Sequence, residues 1–375
     1  MKRWLAIALC VILTISLAAC VAGKPTVSPA ETENLAETET TTTRMPESRR
    51  TECTEAENET EPAAEPILER YNYTVDYHRH ASLFDELYDS EIIRVADAVV
   101  DEFLKDETEI EIPVMTRQEL SKAEHLLREM CPPFFAFAKL GLPENWNEEV
   151  TSLSWTYRID AEQRHEQLEA FENEVNRYMD MLYENDTEAM RALIIFLEFG
   201  RNTDYDDVLA DPDAYGISND EYDARSNAFE VILKHAGVCY TQTEALDFLY
   251  LQAGLNATNV STEGHAWTVA QIDGLYYYMD VTWTSTDEDV YTSEYFGITA
   301  ENRKTWAGGF LPEETMLNRE PIEGVLEVTD TRFSQLHGYS CSMIQSYEAD
   351  HEKQIMHILG TDGCSFEFDM QSKDR

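Results

Sequence analysis

A cysteine attacks an acyl carbon as its thiolate, and it needs a base or ion-pair partner together with a third group that orients that partner. Cys239, His265 and Asp280 are residue types that can fill these three parts. Cys239 follows Gly237-Val238 and precedes the run Thr241 to Leu251, where Ala245, Leu246, Phe248 and Leu249 predict a buried helix. The thiol is thus expected at a helix N-terminus, where the dipole favours an anion. Further on, Asp273-Gly274 separates two segments rich in β-branched and aromatic residues, His265 to Ile272 and Leu275 to Val281, which predicts a two-residue hairpin. With that loop, Ile272 faces Leu275, His265 faces Thr282, and Asp280 faces Trp267. Alternate side chains share a face, so His265, Trp267, Tyr278 and Asp280 fall on one side of the sheet, with His265 and Asp280 as diagonal neighbours within hydrogen-bond reach. An Asp in that place holds the imidazole in one tautomer and stabilises its charged form.

Taken one at a time, these residues have commoner roles: a cysteine as a small buried apolar group, a histidine bonded locally at a strand end, an aspartate in a turn. Their joint pattern sets them apart: Gly237-Val238-Cys239, then Gly264-His265-Ala266-Trp267, then Asp280-Val281-Thr282-Trp283. At these residues the sequence resembles the transglutaminase-like superfamily, whose core motifs read approximately GVC, HAW and DVTW in this order. The resemblance runs from about Tyr222 to Trp283, with Tyr222-Asp223 and Ala228-Phe229 leading into the nucleophile. It implies an α+β fold with a papain-like transglutaminase core, in which a helix carrying the nucleophile packs on an antiparallel sheet, preceded here by a mainly helical region. It also implies roles: Cys239 as nucleophile, His265 as general acid and base, Asp280 as the orienting group, and Trp267, Trp283 and Tyr278 as aromatics lining or backing the cleft.

Two stretches depart from the family pattern. Many bacterial members carry a Gln-Gly-Tyr-Ala-like stretch after the cysteine, where this chain has Tyr240-Thr241-Gln242-Thr243, and an Asp often follows the last motif where this chain has Thr284. These positions touch the helix start and the cleft rim, so they bear on the substrate more than on the three catalytic candidates. The superfamily includes proteases, protein crosslinkers, deamidases and amidases. The expected activity is that of a cysteine peptidase or amidase acting on extracellular peptide or cell-wall material. The alternatives are crosslinking to an amine, or a noncatalytic peptide-binding or scaffold module that keeps the fold.

The rest of the chain positions and delivers this constellation. Its 375 residues are 43% hydrophobic, enough for a sizeable core, and carry a formal net charge of -45, which repels nucleic acid and anionic headgroups. Lys2 and Arg3 precede an apolar run from Trp4 to Leu17, too short for a bilayer span and suited to an export signal. The following Leu17-Ala18-Ala19-Cys20 resembles the lipobox of bacterial lipoproteins, which implies that residues 1–20 are a lipoprotein signal segment cleaved just before Cys20, that Cys20 is lipidated as the mature N-terminus, and that the protein is extracytoplasmic, membrane-anchored and outward-facing. Residues 21–70 are Thr, Glu, Pro and Ala with almost no large apolar group, as in Glu37-Thr38-Glu39-Thr40, and read as a disordered acidic linker of about 50 residues.

Residues 71–201 read as the mainly helical N-terminal region. Ile92, Val95, Val99 and Phe103 recur at helical spacing, Thr116-Arg117-Gln118-Glu119 forms a capping-box pattern, and Leu168, Phe171, Val175 and Leu182 mark a third helix that Glu188 to Phe199 extends after a break. Leu153 to Ile159 predicts one short strand, and Glu109 and Glu111 read as solvated charge. Residues 202–323 hold the transglutaminase-like core. Residues 324–375 form a C-terminal extension with a helical stretch near Met343 to Tyr347 and a strand-like end, Cys364 to Phe368. No metal site or cofactor is expected, because His78, His80, Cys131, Cys341 and Cys364 lack ligand spacing. Cys341 and Cys364 can be read either as a disulfide or as separate thiols, and oligomeric state is not indicated.

The lipobox pattern gives a direct expectation: the wild-type chain partitions with membranes, and Cys20→Ser releases it. Sedimentation of membranes followed by intact-mass analysis of the N-terminus checks this, and an unmodified N-terminus at another residue contradicts it.

Overall fold

The computed structural model describes residues 68–287, 290–305, 315–318, 320–322, 325–338 and 343–371. The leader, Cys20, nearly all of the expected linker, and Cys341 lie outside these residues.

Helix α1 (Ser90–Phe103) starts where the Asp89 carboxylate accepts the Glu91 N–H, and it buries Ile92, Val95, Val99 and Phe103 on one face. Strand β1 (Glu109–Thr116) leads directly into α2 (Arg117–Met130). The join is a capping box: the Thr116 hydroxyl accepts the Glu119 N–H at 3.3 Å, and the Glu119 carboxylate accepts the Thr116 N–H at 2.7 Å. Pro132 and Pro133 end α2 and open the short α3 (Pro132–Phe137), followed by β2 (Ala138–Gly141) and β3 (Glu149–Tyr157). The three strands form an antiparallel sheet ordered β1-β3-β2. The sequence pointed to one strand here, and two more join it. Glu109 and Glu111 are the outward positions of β1, alternating with buried Ile110 and Ile112, so what read as loose surface charge is the solvent face of a strand.

Helices α4 (Ala161–Met179) and α5 (Glu188–Asn202) follow, capped by the Asp160 and Thr187 side chains. Next come α6 (Ala228–Lys234), capped by Asn227, and α7 (Cys239–Gln252). Helix α7 is buried on every side, with Tyr240 its sole residue that is not. Strands β4 (Asn256–Ser261) and β5 (Ala266–Ile272) cover one flank of α7, while α2, α4, α5 and α6 pack around the rest. A helix enclosed in this way can be apolar all round and needs no amphipathic stripe. The expected N-terminal region therefore forms part of the walls around the nucleophile helix, and the described residues pack as one unit.

Strand β6 (Leu275–Met279) pairs antiparallel with β5 in the register read from the sequence, Ile272 opposite Leu275. Asp273 (φ 50°) and Gly274 (φ 77°) both adopt the left-handed conformation that a tight two-residue turn of this kind requires. Beyond the short helix α8 (Ala300–Thr305), the tail is a meander of β7 (Met343–Asp350), β8 (Ile355–Gly360) and β9 (Ser365–Asp369). The helical stretch expected near Met343 to Tyr347 is thus a strand. Five residues cannot fix a period, and pairing with β8 overrides local preference.

One polar feature lies within this core. Glu129 on α2 and Asp247 on α7 are both wholly buried. Glu129 accepts from the Thr258 hydroxyl at 2.5 Å and the Asn259 amide at 2.9 Å, and Asp247 accepts from the Thr268 hydroxyl at 2.6 Å. Burial pushes both carboxyls well above the usual carboxylate range, Glu129 to about 8, so that Glu129 holds a proton near neutrality; at Asp247 the nearby Glu129 carboxyl adds to the effect of burial. Burial likewise raises Glu244 to about 7, whereas it lowers neighbouring His125 to about 4.

The signs set a stability window. Carboxyls raised in the fold contribute stability in full below their ordinary value of about 4.5 and lose it as pH rises from there through the raised values; His125, lowered in the fold, contributes in full above about 6.5 and loses that contribution as pH falls toward about 4. Thermal melts should therefore show stability falling as pH rises from 6 to 8.5, by an amount on the order of 3 kcal/mol. Glu129→Gln keeps an acceptor for Thr258 and Asn259 and should flatten the alkaline side; an unchanged slope contradicts this account.

Candidate active site

The approach to Cys239 is built from close backbone contacts. Helix α6 ends at His235, in the left-handed conformation (φ 55°), and the extended pair Ala236–Gly237 then runs parallel to Asp204–Tyr205. A Cβ on Gly237 would lie 2.5 Å from Val231 Cγ2 and 2.6 Å from Thr241 Oγ1, so a side chain at this position would collide with both flanking helices. The Thr241 hydroxyl accepts the Val238 N–H at 3.1 Å and closes the first turn of α7. Cys239 is the first residue of that helix and is 6% exposed, which places its sulfur at the positive end of a well-formed dipole.

The residues that depart from the family pattern hold this helix in place. Gln242 donates its amide to the Asp204 carbonyl at 2.8 Å. Thr243, one turn beyond Cys239 on the same face, donates to the Ala266 carbonyl at 3.3 Å. That bond ties the nucleophile's face of α7 to the residue next to His265. Thr284 is wholly buried against Gly200 of α5, where a Cβ on the glycine would come within 2.4 Å of the threonine methyl. An aspartate there would place a charge against a helix backbone.

His265 ends the turn between β4 and β5, its carbonyl accepting the Thr262 N–H at 2.8 Å. Its Nε2 lies 2.8 Å from Asp280 Oδ2. The two residues meet by a route other than ladder pairing. The β5–β6 ladder stops at Thr268 opposite Met279, and the pairings expected for His265 with Thr282 and for Trp267 with Asp280 do not form. Asp280 instead donates its N–H to the Tyr295 carbonyl at 3.0 Å, and the chain then curls through a tight turn at Val281–Trp283. Sheet twist and that turn carry the carboxylate across to the imidazole.

The turn also brings the Trp283 indole Nε1 to 3.2 Å from His265 Nε2. One nitrogen cannot donate to a carboxylate and accept from an indole at once, and the shorter, charge-assisted contact decides for Asp280. Nε2 thus carries the proton toward Asp280, and Nδ1 is the nitrogen that can serve the thiol. Of the three aromatics expected at the cleft, Trp267 and Tyr278 are buried and back the histidine, their ring centroids 5.7 Å apart. Only Trp283 is partly exposed.

A fourth residue joins the site that the sequence reading did not identify. Arg303 of α8 is 2% exposed, donates its Nη1 to Asp280 Oδ2 at 2.5 Å, and lies 4.0 Å from the centroid of Trp267. It arrives because the segment before α8 pairs with β6, Tyr278 and Ile298 exchanging backbone bonds at 3.0 Å. Gly297 permits that course: it has φ 65°, and a Cβ on it would meet the Phe333 ring at 2.4 Å. No periodicity or motif marks Arg303; the only hint is a basic residue in a chain with 28 Lys and Arg against 73 acids. Burial alone would raise the Asp280 carboxyl, but the charges of His265 and Arg303 outweigh it and hold the group below the usual carboxylate range.

No family model matches the chain, and no curated protein does. Solved structures do. The crystal structure of a TGase is 17% identical over 40% of this chain and 44% of that one, with a TM-score of 0.28. A proposed cysteine protease from Cytophaga hutchinsonii is 15% identical over 39% of this chain and 62% of that one, with a TM-score of 0.22. The match spans less than half of the first protein and less than two thirds of the second. At these scores the likeness takes no part in assigning family or chemistry.

The geometry ranks the thiols. Cys131 is wholly buried, and burial pushes its thiol up to about 12; Cys364 is exposed, but its hydrogen bond to Asp362 and that residue's charge raise it too. Iodoacetamide should therefore modify Cys239 faster than either, as peptide mapping by mass spectrometry would show. His265→Ala should slow that reaction near pH 7 by about tenfold or more, since the ion-pair partner is lost. Equal rates at all three cysteines in the folded protein would remove Cys239 as a nucleophile.

Proposed function

We propose that this protein is a surface-anchored thiol acyl-transfer enzyme of the transglutaminase-like kind, with a papain-like core, acting as a cysteine peptidase or amidase on extracellular peptide or cell-wall material. The observation that carries the reading is the buried His265–Asp280 contact of 2.8 Å, with the residue next to His265, Ala266, bonded through its carbonyl to Thr243 in the helix that Cys239 begins. A histidine oriented by a wholly buried carboxylate is costly to build for stability alone.

In this reading Cys239 and His265 start as an ion pair, the thiol proton already on His265 Nδ1, and the Cys239 thiolate attacks the scissile carbonyl carbon. The Cys239 backbone N–H, at the start of α7, is one donor for the oxyanion. His265 then returns the proton to the leaving amine, the carbon–nitrogen bond breaks, and a thioester remains on Cys239. Water attacks that thioester while His265 takes its proton, the acid departs, and the thiol is regenerated. Asp280 keeps the imidazole in one tautomer throughout. The acidic surface disfavours nucleic acid as a partner, and the lipobox supports attachment through Cys20.

Water and an amine compete for the same thioester, so product analysis tests the acceptor. With a peptide donor, hydrolysis should dominate even in abundant primary amine; products joined mainly to the amine would assign the protein to crosslinking instead. Asp280→Asn should lower turnover by roughly 10²- to 10⁴-fold while leaving alkylation of Cys239 less affected. Tight peptide binding that survives Cys239→Ala, with no turnover of any donor, would make the domain a binding module.

A further inference from the structure

Asp280 has no exposure to solvent, and a charge in that position must be paired. Its ionic contacts converge on one oxygen: His265 Nε2 at 2.8 Å and Arg303 Nη1 at 2.5 Å both meet Oδ2, while Oδ1 has no hydrogen-bond partner among the described residues. If the histidine were the sole counter-ion, a neutral imidazole would leave a buried, unpaired anion. The proton would then be held on His265. Yet the reaction needs that proton to leave, first when the departing amine is protonated and again when an unprotonated imidazole must accept a proton from water.

A guanidinium stays charged at any working pH, and its plane suits an aromatic face. Arg303 offers both properties, with its head 4.0 Å from the Trp267 ring centroid and its Nη1 on the carboxylate. Trp267 is buried and stands in near-parallel contact with His265, with ring centroids 6.0 Å apart and planes at 26°. The arginine, the tryptophan and the imidazole are thus packed in sequence around one carboxylate oxygen. Resting on the acyl-transfer reading, we propose that Arg303 is a positioning residue and the permanent counter-ion of Asp280, keeping the buried carboxylate paired while His265 gives up and regains its proton. It touches no reacting atom. Its action falls mainly on thioester hydrolysis, the half-reaction that requires His265 in its unprotonated form.

The test separates the two half-reactions in the full-length chain with p-nitrophenyl acetate. Attack by Cys239 releases p-nitrophenolate and leaves acetyl-Cys239, seen as a burst and by intact mass; hydrolysis then releases acetate and restores the thiol. Arg303→Gln and Arg303→Met, which remove the charge while keeping the unbranched stem of the side chain, should keep a burst near wild type. Deacylation at pH 7 should fall by about tenfold, with its pH midpoint moved up by about one unit. Arg303→Lys, which keeps the charge, should recover most of the deacylation rate. If the folded Gln and Met variants deacylate with the wild-type midpoint, or if Lys is no better than Gln, the proposal is overturned. If neither charge-removing variant folds, Arg303 is a structural residue and the proposal falls as well. Absence of acetyl-Cys239 in the wild-type chain would instead defeat the acyl-transfer reading itself.

Discussion

A carboxylate with no access to water is tolerated only where charge and hydrogen bonds replace its hydration, and Asp280 is such a group. Much of the surrounding architecture follows from that requirement. The β5–β6 ladder stops one residue short of it, a backbone bond from its N–H to Tyr295 fixes its place, and the turn at Val281–Trp283 lays an indole beside the His265 nitrogen it contacts. The segment from Tyr295 to Ala300 pairs with β6 and delivers α8, so that a second cation reaches the same oxygen. Removing any one of these leaves either an unpaired buried charge or an imidazole with no fixed orientation.

The nucleophile's helix is held under a different constraint. Because α7 is enclosed by sheet on one flank and by helices elsewhere, its polar residues must each find a partner inside. Thr241 closes its first turn, Gln242 reaches the Asp204 carbonyl, Thr243 reaches the strand that follows His265, and Asp247 reaches Thr268. Four of its polar side chains are thereby anchors that fix the height and rotation of Cys239 relative to β5. The residues that depart from the family pattern after the cysteine include three of these anchors.

The same enclosure produces the buried acids. Glu129 sits where α2 crosses β4, and Asp247 lies two turns from Cys239 on the face that meets β5. Protonated, they act as ordinary hydrogen-bonding groups; ionised, they would put like charges inside a core. A chain with 73 acidic residues can keep most of them in water, but the few that packing draws inward become pH-sensitive elements of stability.

The sequence by itself determined what depends on neighbours along the chain. The capping box at Thr116, the Asp273-Gly274 turn and its register, the helix beginning at Cys239 and the order of the three motifs could all be read there, because turn chemistry, helix caps and residue spacing act over a few residues. The co-location of His265 and Asp280 was also legible, although the structure achieves it beyond the end of the ladder. Tertiary structure decided the rest. That the solvated Glu109 and Glu111 form one face of a strand, and that Met343 to Tyr347 is sheet and not helix, depended on partners roughly a dozen or more residues away that no local period reveals. Arg303 stands 23 residues beyond Asp280 and belongs to no motif. Its role exists only once the chain has folded, because only folding buries the charge that needs it.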